Sequence, residues 1–375
     1  MSLSALSTAI LNAYGRFAAA AFAPTLLNVV LIAVLLAFVA SGGDRQSAAG
    51  MALAWGITVS GVLQVLVVLF AAIRSGMRVP WTRPRFGPDM RRLVKLATPG
   101  ILAGGMAQLT LVISTVIATL QDRVVSWLYY AERLFQLPLG IIGVAIGVVL
   151  LPALSHKLRT GDHAAVLASE NRALEFALLL TMPAATALFI AAAPIIRVLF
   201  ERGAFTPEDS AATAAMLAAF ALGLPAYVLI KVLHPSFFAR EDTKTPMLFA
   251  GISMAANIAL SLALFFTVGA TGIAAAAALS GWINVALLAL ALRRREGLMP
   301  DRTFRRRLGG ILAASAVMGA VVFALVAALD PWFAPDSGFL AQAGALAILF
   351  GAGLLTYLAA AQLFGAAHFR ELIRA

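Results

Sequence analysis

Pro246-Met-Leu-Phe-Ala-Gly-Ile-Ser-Met-Ala-Ala-Asn257-Ile-Ala-Leu-Ser-Leu-Ala-Leu-Phe-Phe-Thr267 runs without a single Asp, Glu, Lys or Arg. A helix of roughly 20 mostly apolar residues spans the hydrocarbon core of a bilayer, and this run is long enough. A tight turn near Gly269 follows, then a second run over 270–292 that stops at Arg293-Arg-Arg295. Two such runs back to back predict a helical hairpin that crosses a membrane twice. Working outward, similar runs lie at 207–232, 168–191, 124–152, 96–120, 49–73 and 22–41 on one side, and at 308–329 and 339–364 on the other. Ten full spans are expected. Residues 2–14 are apolar but only about half a span on the same length rule. No charged segment or small-residue cleavage site precedes them, so they read as the tail of a helix whose beginning is missing.

Composition supports this reading. The chain is 62% hydrophobic and 12% charged, with mean hydropathy +0.94, whereas soluble domains are nearer half apolar and a quarter charged. The formal net charge of +11 would suit nucleic acid, but the basic residues sit in short loops between apolar runs, so no nucleic-acid partner is expected. Cysteine is absent, which excludes disulfides and thiolate metal sites.

Charge alternates along the loops. Arg74, Arg78, Arg83, Arg85, Arg91, Arg92 and Lys95 flank one connection, and Lys157 and Arg159 lie in the next on that side. Arg240 and Lys244 follow, then Arg293–Arg295 with Arg302, Arg305, Arg306 and Arg307, and finally Arg370 and Arg374. The intervening loops, at 42–46, 121–123, 201–209, near Gly269 and at 330–336, are nearly neutral or acidic. Excess Lys and Arg marks the cytoplasmic side, so the C-terminus is expected inside.

Against this background the charges within spans stand out, because each costs at least about 2.5–3.5 kcal/mol on insertion scales. They concentrate in Ser126-Trp-Leu-Tyr-Tyr-Ala-Glu-Arg-Leu-Phe-Gln-Leu-Pro138-Leu-Gly140. Helical spacing puts Ser126, Tyr129, Arg133 and Gln136 on one face with Glu132 beside them, and Gly140, Gly143 and Gly147 continue the stripe. Such a stripe lines an aqueous cavity or lets another helix pack closely on the glycines. The competing reading has Arg133 snorkel to the interface beside Tyr129 and Tyr130, about 15 Å along the helix from Arg123. Pro138 predicts a kink. Gln108, Thr115 and Thr119 share a face of the preceding helix, where interhelical hydrogen bonding is the simplest role. Asn28, Asn257 and Asn284 read as interhelical packing amides. Arg172 and Glu175, three apart, are expected to pair.

A short internal similarity joins Phe17-Ala18 … Pro24, entering a helix with Asn28, to Phe238-Ala239 … Pro246, entering a helix with Asn257 six spans later. Six-helix repeats with a substrate site at their interface are a transporter architecture. Catalytic machinery is not evident. His156, His163, His234 and His368 fall at helix ends or loops, and no phosphate-binding Gly-rich loop occurs, so neither an enzyme nor a metal site is expected.

The segment from Ser126 through Gly147, followed by Leu150-Leu-Pro-Ala-Leu-Ser155, closely resembles the signature of the lipid II flippases, the MurJ/MviN-type proteins of the multidrug/oligosaccharidyl-lipid/polysaccharide exporter superfamily. So does Lys231-Val-Leu-His-Pro-Ser-Phe-Phe-Ala-Arg-Glu-Asp-Thr-Lys-Thr-Pro246. Ile10-Leu-Asn-Ala-Tyr-Gly-Arg-Phe17 and Ala23-Pro-Thr-Leu-Leu-Asn28 resemble the family's linker into its fifth helix.

The resemblance implies an all-α fold of two six-helix lobes and a C-terminal helix pair, of which this chain holds part of the fourth helix through the fourteenth. It divides the chain into a truncated N-lobe at 1–95, a C-lobe at 96–300 and a helix pair forming a lipid-tail groove at 301–375. It implies transport of an undecaprenyl-linked peptidoglycan precursor across the bacterial inner membrane by alternating access, for cell-wall synthesis. Arg133 matches the family's cavity arginine; the usual acidic companion three residues on is Gln136 here, with Glu132 next door. Tyr129 and Gln108 complete the expected cavity set. Pro138, Gly140, Gly143, Gly147, Lys231 and Pro246 are the expected structural and gating positions. Membrane lipids are the other expected partners. No cofactor is implied, and coupling to an ion or to the membrane potential stays open. A sister exporter of another lipid-linked oligosaccharide or a drug, and an inactive fragment or scaffold, are the rival readings.

Overall fold

The computed structural model describes residues 11, 17–41, 46–74, 87–159, 163–297, 301–334 and 337–366. Among them are eleven α-helices and one 3-10 turn, and no strand. Apart from Leu11, the expected partial helix at 2–14 lies outside the described residues.

Two compact units divide the chain at Phe86 and Gly87. In the first, α1 (Phe17–Ala40) packs against α2 (Gln46–Arg74). Gly56 of α2 lets Leu31 and Val34 of α1 come close, and Leu11, Ala23, Val68 and Ala72 form a small buried cluster.

The second unit holds α3 (Pro88–Ala118), α4 (Val124–Arg159), α5 (His163–Ile190), α6 (Ala192–Phe200), α7 (Pro207–Phe238), α8 (Lys244–Val268), α9 (Thr271–Glu296), α10 (Arg302–Ala328) and α11 (Phe339–Leu363). The short α6 was not foreseen among the spans. Among the described residues, seven helices (α2, α5 and α7 to α11) are long and apolar enough to cross a membrane. The other three expected spans fall on α1, α3 and α4, of which α1 and α3 carry shorter apolar stretches, Thr25–Ala40 and Gln108–Ala118.

The hub is α7, which packs against α4, α5, α6 and α9. Its apolar window is 67% buried, against 17% for α8 of equal mean hydropathy, 2.0. Apolar faces this exposed, such as Phe266 on α8 and Leu355 on α11, have lipid as their natural solvent. The N-terminus of α7 explains its placement. Thr206 and Asp209 form a capping box, with Pro207 in the first turn where its missing N–H is harmless. Asp209 also accepts from Trp127 Nε1 at 2.8 Å and pairs with Arg123 at 3.3 Å, fastening the α3–α4 turn to the head of α7.

Close helix contacts rest on missing side chains. A Cβ on Gly272 would lie 2.5 Å from the Leu264 carbonyl, so the α8–α9 hairpin closes only because that side chain is absent. Gly223 plays the same part between α7 and α9, where a Cβ would meet the Ala278 Cα at 2.8 Å. At the basic end, Glu170 pairs with Arg240 at 3.2 Å and Asp242 with Arg295 at 2.9 Å. Glu175 pairs with Arg307 of α10 at 2.6 Å rather than with Arg172, which corrects the local pairing expected from spacing. A tertiary partner won over the neighbour on the same helix.

Candidate functional site

α4 carries the polar stretch as one continuous helix through Pro138. Glu132, Arg133 and Gln136 interlock by helical spacing: Gln136 Nε2 donates to Glu132 Oε1 at 2.9 Å, and Arg133 donates to Gln136 Oε1 at 3.4 Å. The Arg133 guanidinium also lies 4.8 Å from the Tyr129 ring centroid. Gln136 therefore bridges the carboxylate to the guanidinium where the resemblance led to an acid.

Glu132 and Gln136 open onto a cavity of about 310 Å³ bounded by α3, α4, α7, α8 and α9. Its other polar groups are Thr110, Ser114 and Thr115 of α3, Tyr227 of α7, Ser253 and Asn257 of α8, and Ser280 and Asn284 of α9. Leu128, Phe135, Leu139, Phe220 and Ile273 supply apolar wall. The lining thus combines one carboxylate with amides, hydroxyls and aromatic surface, and includes no basic side chain among the described residues. Ser253 Oγ and Asn284 Oδ1 are buried there without a protein hydrogen-bond partner. Such groups suit a polar guest.

The cavity gathers some of the anticipated residues and leaves others aside. Arg133 and Tyr129 are exposed on α4 next to the lining, and Gln108 is exposed on α3 outside it. Thr115 and Thr119 bond back to their own helix, to Leu111 and Val116, in place of the expected interhelical bonds. Asn257 does bridge helices, donating to Ser280 Oγ at 3.3 Å, while Asn28 is exposed. Gly140 faces open space, whereas a Cβ on Gly143 would meet Lys231 Cδ at 2.5 Å. The bare backbone of α4 is therefore the bed for the stem of Lys231, whose residue remains exposed. Gly147 lies in a part of α4 where side-chain surroundings fall outside the described residues. Pro246 is buried in the first turn of α8, a position that needs no N–H donor. Sequence reasoning passed over Ser114, Tyr227, Ser253 and Ser280. Small hydroxyls in apolar helices carry no signal until neighbouring helices converge on them.

A bundle of apolar helices enclosing a polar cavity is the architecture of a polytopic membrane protein that handles a polar or amphiphilic guest. The chain belongs to the lipid II flippase MurJ family, whose model matches residues 1–342. It is 44% identical to a probable lipid II flippase MurJ of Rhizobium meliloti over 326 residues, covering 87% of this chain and 61% of that protein. It is 42% identical to the Rhizobium tropici counterpart over 365 residues, covering 97% of this chain and 68% of the relative. A solved structure described as lipid II flippase MurJ in an inward closed conformation superposes with a TM-score of 0.74 at 26% identity, over 99% of this chain and 72% of that one. The chain therefore spans about three fifths to two thirds of the length of these two curated relatives.

Proposed function

We propose that this chain takes part in moving a lipid-linked peptidoglycan precursor across the bacterial inner membrane, as a transporter and not an enzyme. The observation that carries the reading is the family match along residues 1–342. The exposed Arg133, held by Gln136 and Tyr129 beside a polar cavity, gives that reading a residue-level anchor. In the proposed cycle, the diphosphate of the head group meets Arg133, while sugar and peptide hydroxyls and amides meet Glu132, Gln136 and the cavity amides. A guanidinium binds phosphate oxygens in a fork that lysine cannot copy. The polyprenyl tail stays in lipid, along the helix pair over 301–375. Lys231 on α7, resting on Gly143 of α4, adds a cation further along the α4–α7 contact. Alternating access then follows from movement of the 1–95 and 96–300 lobes, with the basic loops and the C-terminus in the cytoplasm.

The test is complementation in cells depleted of their own lipid II flippase. Arg133→Ala, carried by the complete protein, should abolish growth support at unchanged membrane abundance. Arg133→Lys should restore little of it, because the fork geometry is lost. Normal growth of Arg133→Ala at normal abundance would remove Arg133 from the proposed site.

A further inference from the structure

A second cavity, of about 230 Å³ and lined by different residues from the one beside Arg133, lies between the end of α6 and the start of α11. Arg197, Glu201, Arg202, Phe333, Phe339 and Gln342 line it. The Arg202 guanidinium is braced by the Val198 carbonyl and lies 5.0 Å from the Phe339 ring centroid. Arg197 pairs only loosely with Asp330, at 3.7 Å, and both groups are well exposed. The two guanidinium groups therefore retain donors for a phosphate.

An anion alone does not fit, because Glu201 shares the pocket. Its Oε2 is buried and has no hydrogen-bond partner. A buried carboxylate oxygen needs a donor, and a bare phosphate would add repulsion instead. A group that carries both a phosphate and an N–H donor satisfies both sides. The surroundings place that group at a membrane surface. Trp332, Phe339 and Leu340 are 56%, 55% and 87% exposed around the pocket, and aromatic and apolar side chains beside arginines are characteristic of the lipid interface.

We propose that this pocket holds the phosphoethanolamine head group of a membrane phospholipid, with the phosphate on Arg197 and Arg202 and the ammonium on Glu201. The acyl chains lie along Leu340 and the exposed face of α11. The pocket is distinct from the cavity lined by Glu132 and Gln136, while the lipid's acyl chains share the α10–α11 surface with the proposed path of the polyprenyl tail. Its consequence is mechanical: a lipid wedged there ties α6 to the α10–α11 pair.

The experiment is lipid retention by the purified, delipidated protein, read by native mass spectrometry. It is offered phosphatidylethanolamine, phosphatidylglycerol or phosphatidylcholine with identical chains, and inorganic phosphate alone in a separate arm. Phosphatidylethanolamine should exceed phosphatidylcholine by about tenfold, the effect of one lost charged hydrogen bond, since a trimethylammonium cannot donate. Arg197→Gln with Arg202→Gln should lower retention of phosphatidylethanolamine and phosphatidylglycerol alike. Glu201→Gln should erase the preference for ethanolamine and raise retention of phosphatidylglycerol, whose phosphate no longer faces a carboxylate. Equal retention of all three lipids by the unaltered protein would overturn the proposal, whatever the variants do. So would a preference that survives both substitutions, or binding of inorganic phosphate as strong as that of lipid.

Discussion

Arg133, Glu132 and Gln136 show how much of a site one helix can build by itself. Spacings of three and four residues bring their side chains together, so their association is local and needs no tertiary contact. Gln136 gives this cluster a neutral bridge. Gln136→Glu would set a second carboxylate four residues from Glu132, and like charges at that spacing repel by about 0.2–0.5 kcal/mol on a helix. We expect that variant to keep transport, since the new carboxylate also lies three residues from Arg133 and can pair with it; precursor movement in vesicles checks this. Gly143 offers a contrasting case. Its missing Cβ makes room for the flexible stem of Lys231, so Gly143→Ala should change thermal stability by less than about 0.5 kcal/mol. The displaced ammonium should nevertheless slow transport. A large fall in melting temperature would show that the contact is structural instead.

Where helices meet, backbone contacts and caps matter more than side-chain identity. Gly223→Ala would press a Cβ onto the Ala278 backbone at 2.8 Å, and overpacking of this kind costs about 1–3 kcal/mol, in contrast to Gly143→Ala. Thermal denaturation in detergent compares the two directly. Asp209 joins the cap of α7 to the α3–α4 turn through Thr206, Trp127 and Arg123. Asp209→Ala should therefore lose about 1–2 kcal/mol. The α7–α8 loop has its own pH signature. Burial would raise the Asp242 carboxyl, but hydrogen bonds from the Thr245 hydroxyl and amide, with the Arg295 guanidinium, outweigh it and hold the group below the usual carboxylate range. A depressed carboxylate stabilises the fold at pH above its unfolded value, and that contribution is lost as pH falls through the folded one. Asp242→Asn should thus melt below the parent at pH 7, with the gap closing as pH is lowered through the acid range.

For the molecule as a whole, the alternating loop charge makes a prediction about sidedness that the absence of cysteine renders easy to read. In intact cells an impermeant maleimide should label Asp122→Cys, while Arg294→Cys should label only after permeabilisation. The opposite pattern would invert the proposed orientation. The spans, the loop alternation and the polar stretch of α4 were legible in the sequence because each is a local property of a run or a helical period. Several tertiary features were not. Glu175 finds Arg307 rather than Arg172, α6 is a helix separate from α5, and Ser253, Ser280 and Asn284 line one cavity with Glu132 and Gln136 from other helices. The clearest case is α7 beside α8: their mean hydropathy is the same, 2.0, yet one window is 67% buried and the other 17%. In a membrane, an apolar face is equally at home against lipid or against protein, so hydropathy says that a helix crosses without saying what it touches. Sequence alone determined that this is a polytopic helical protein with a charged stripe on one helix. Only the tertiary structure decided which helix is the hub, which faces enclose the cavity and which side chains stand at its wall.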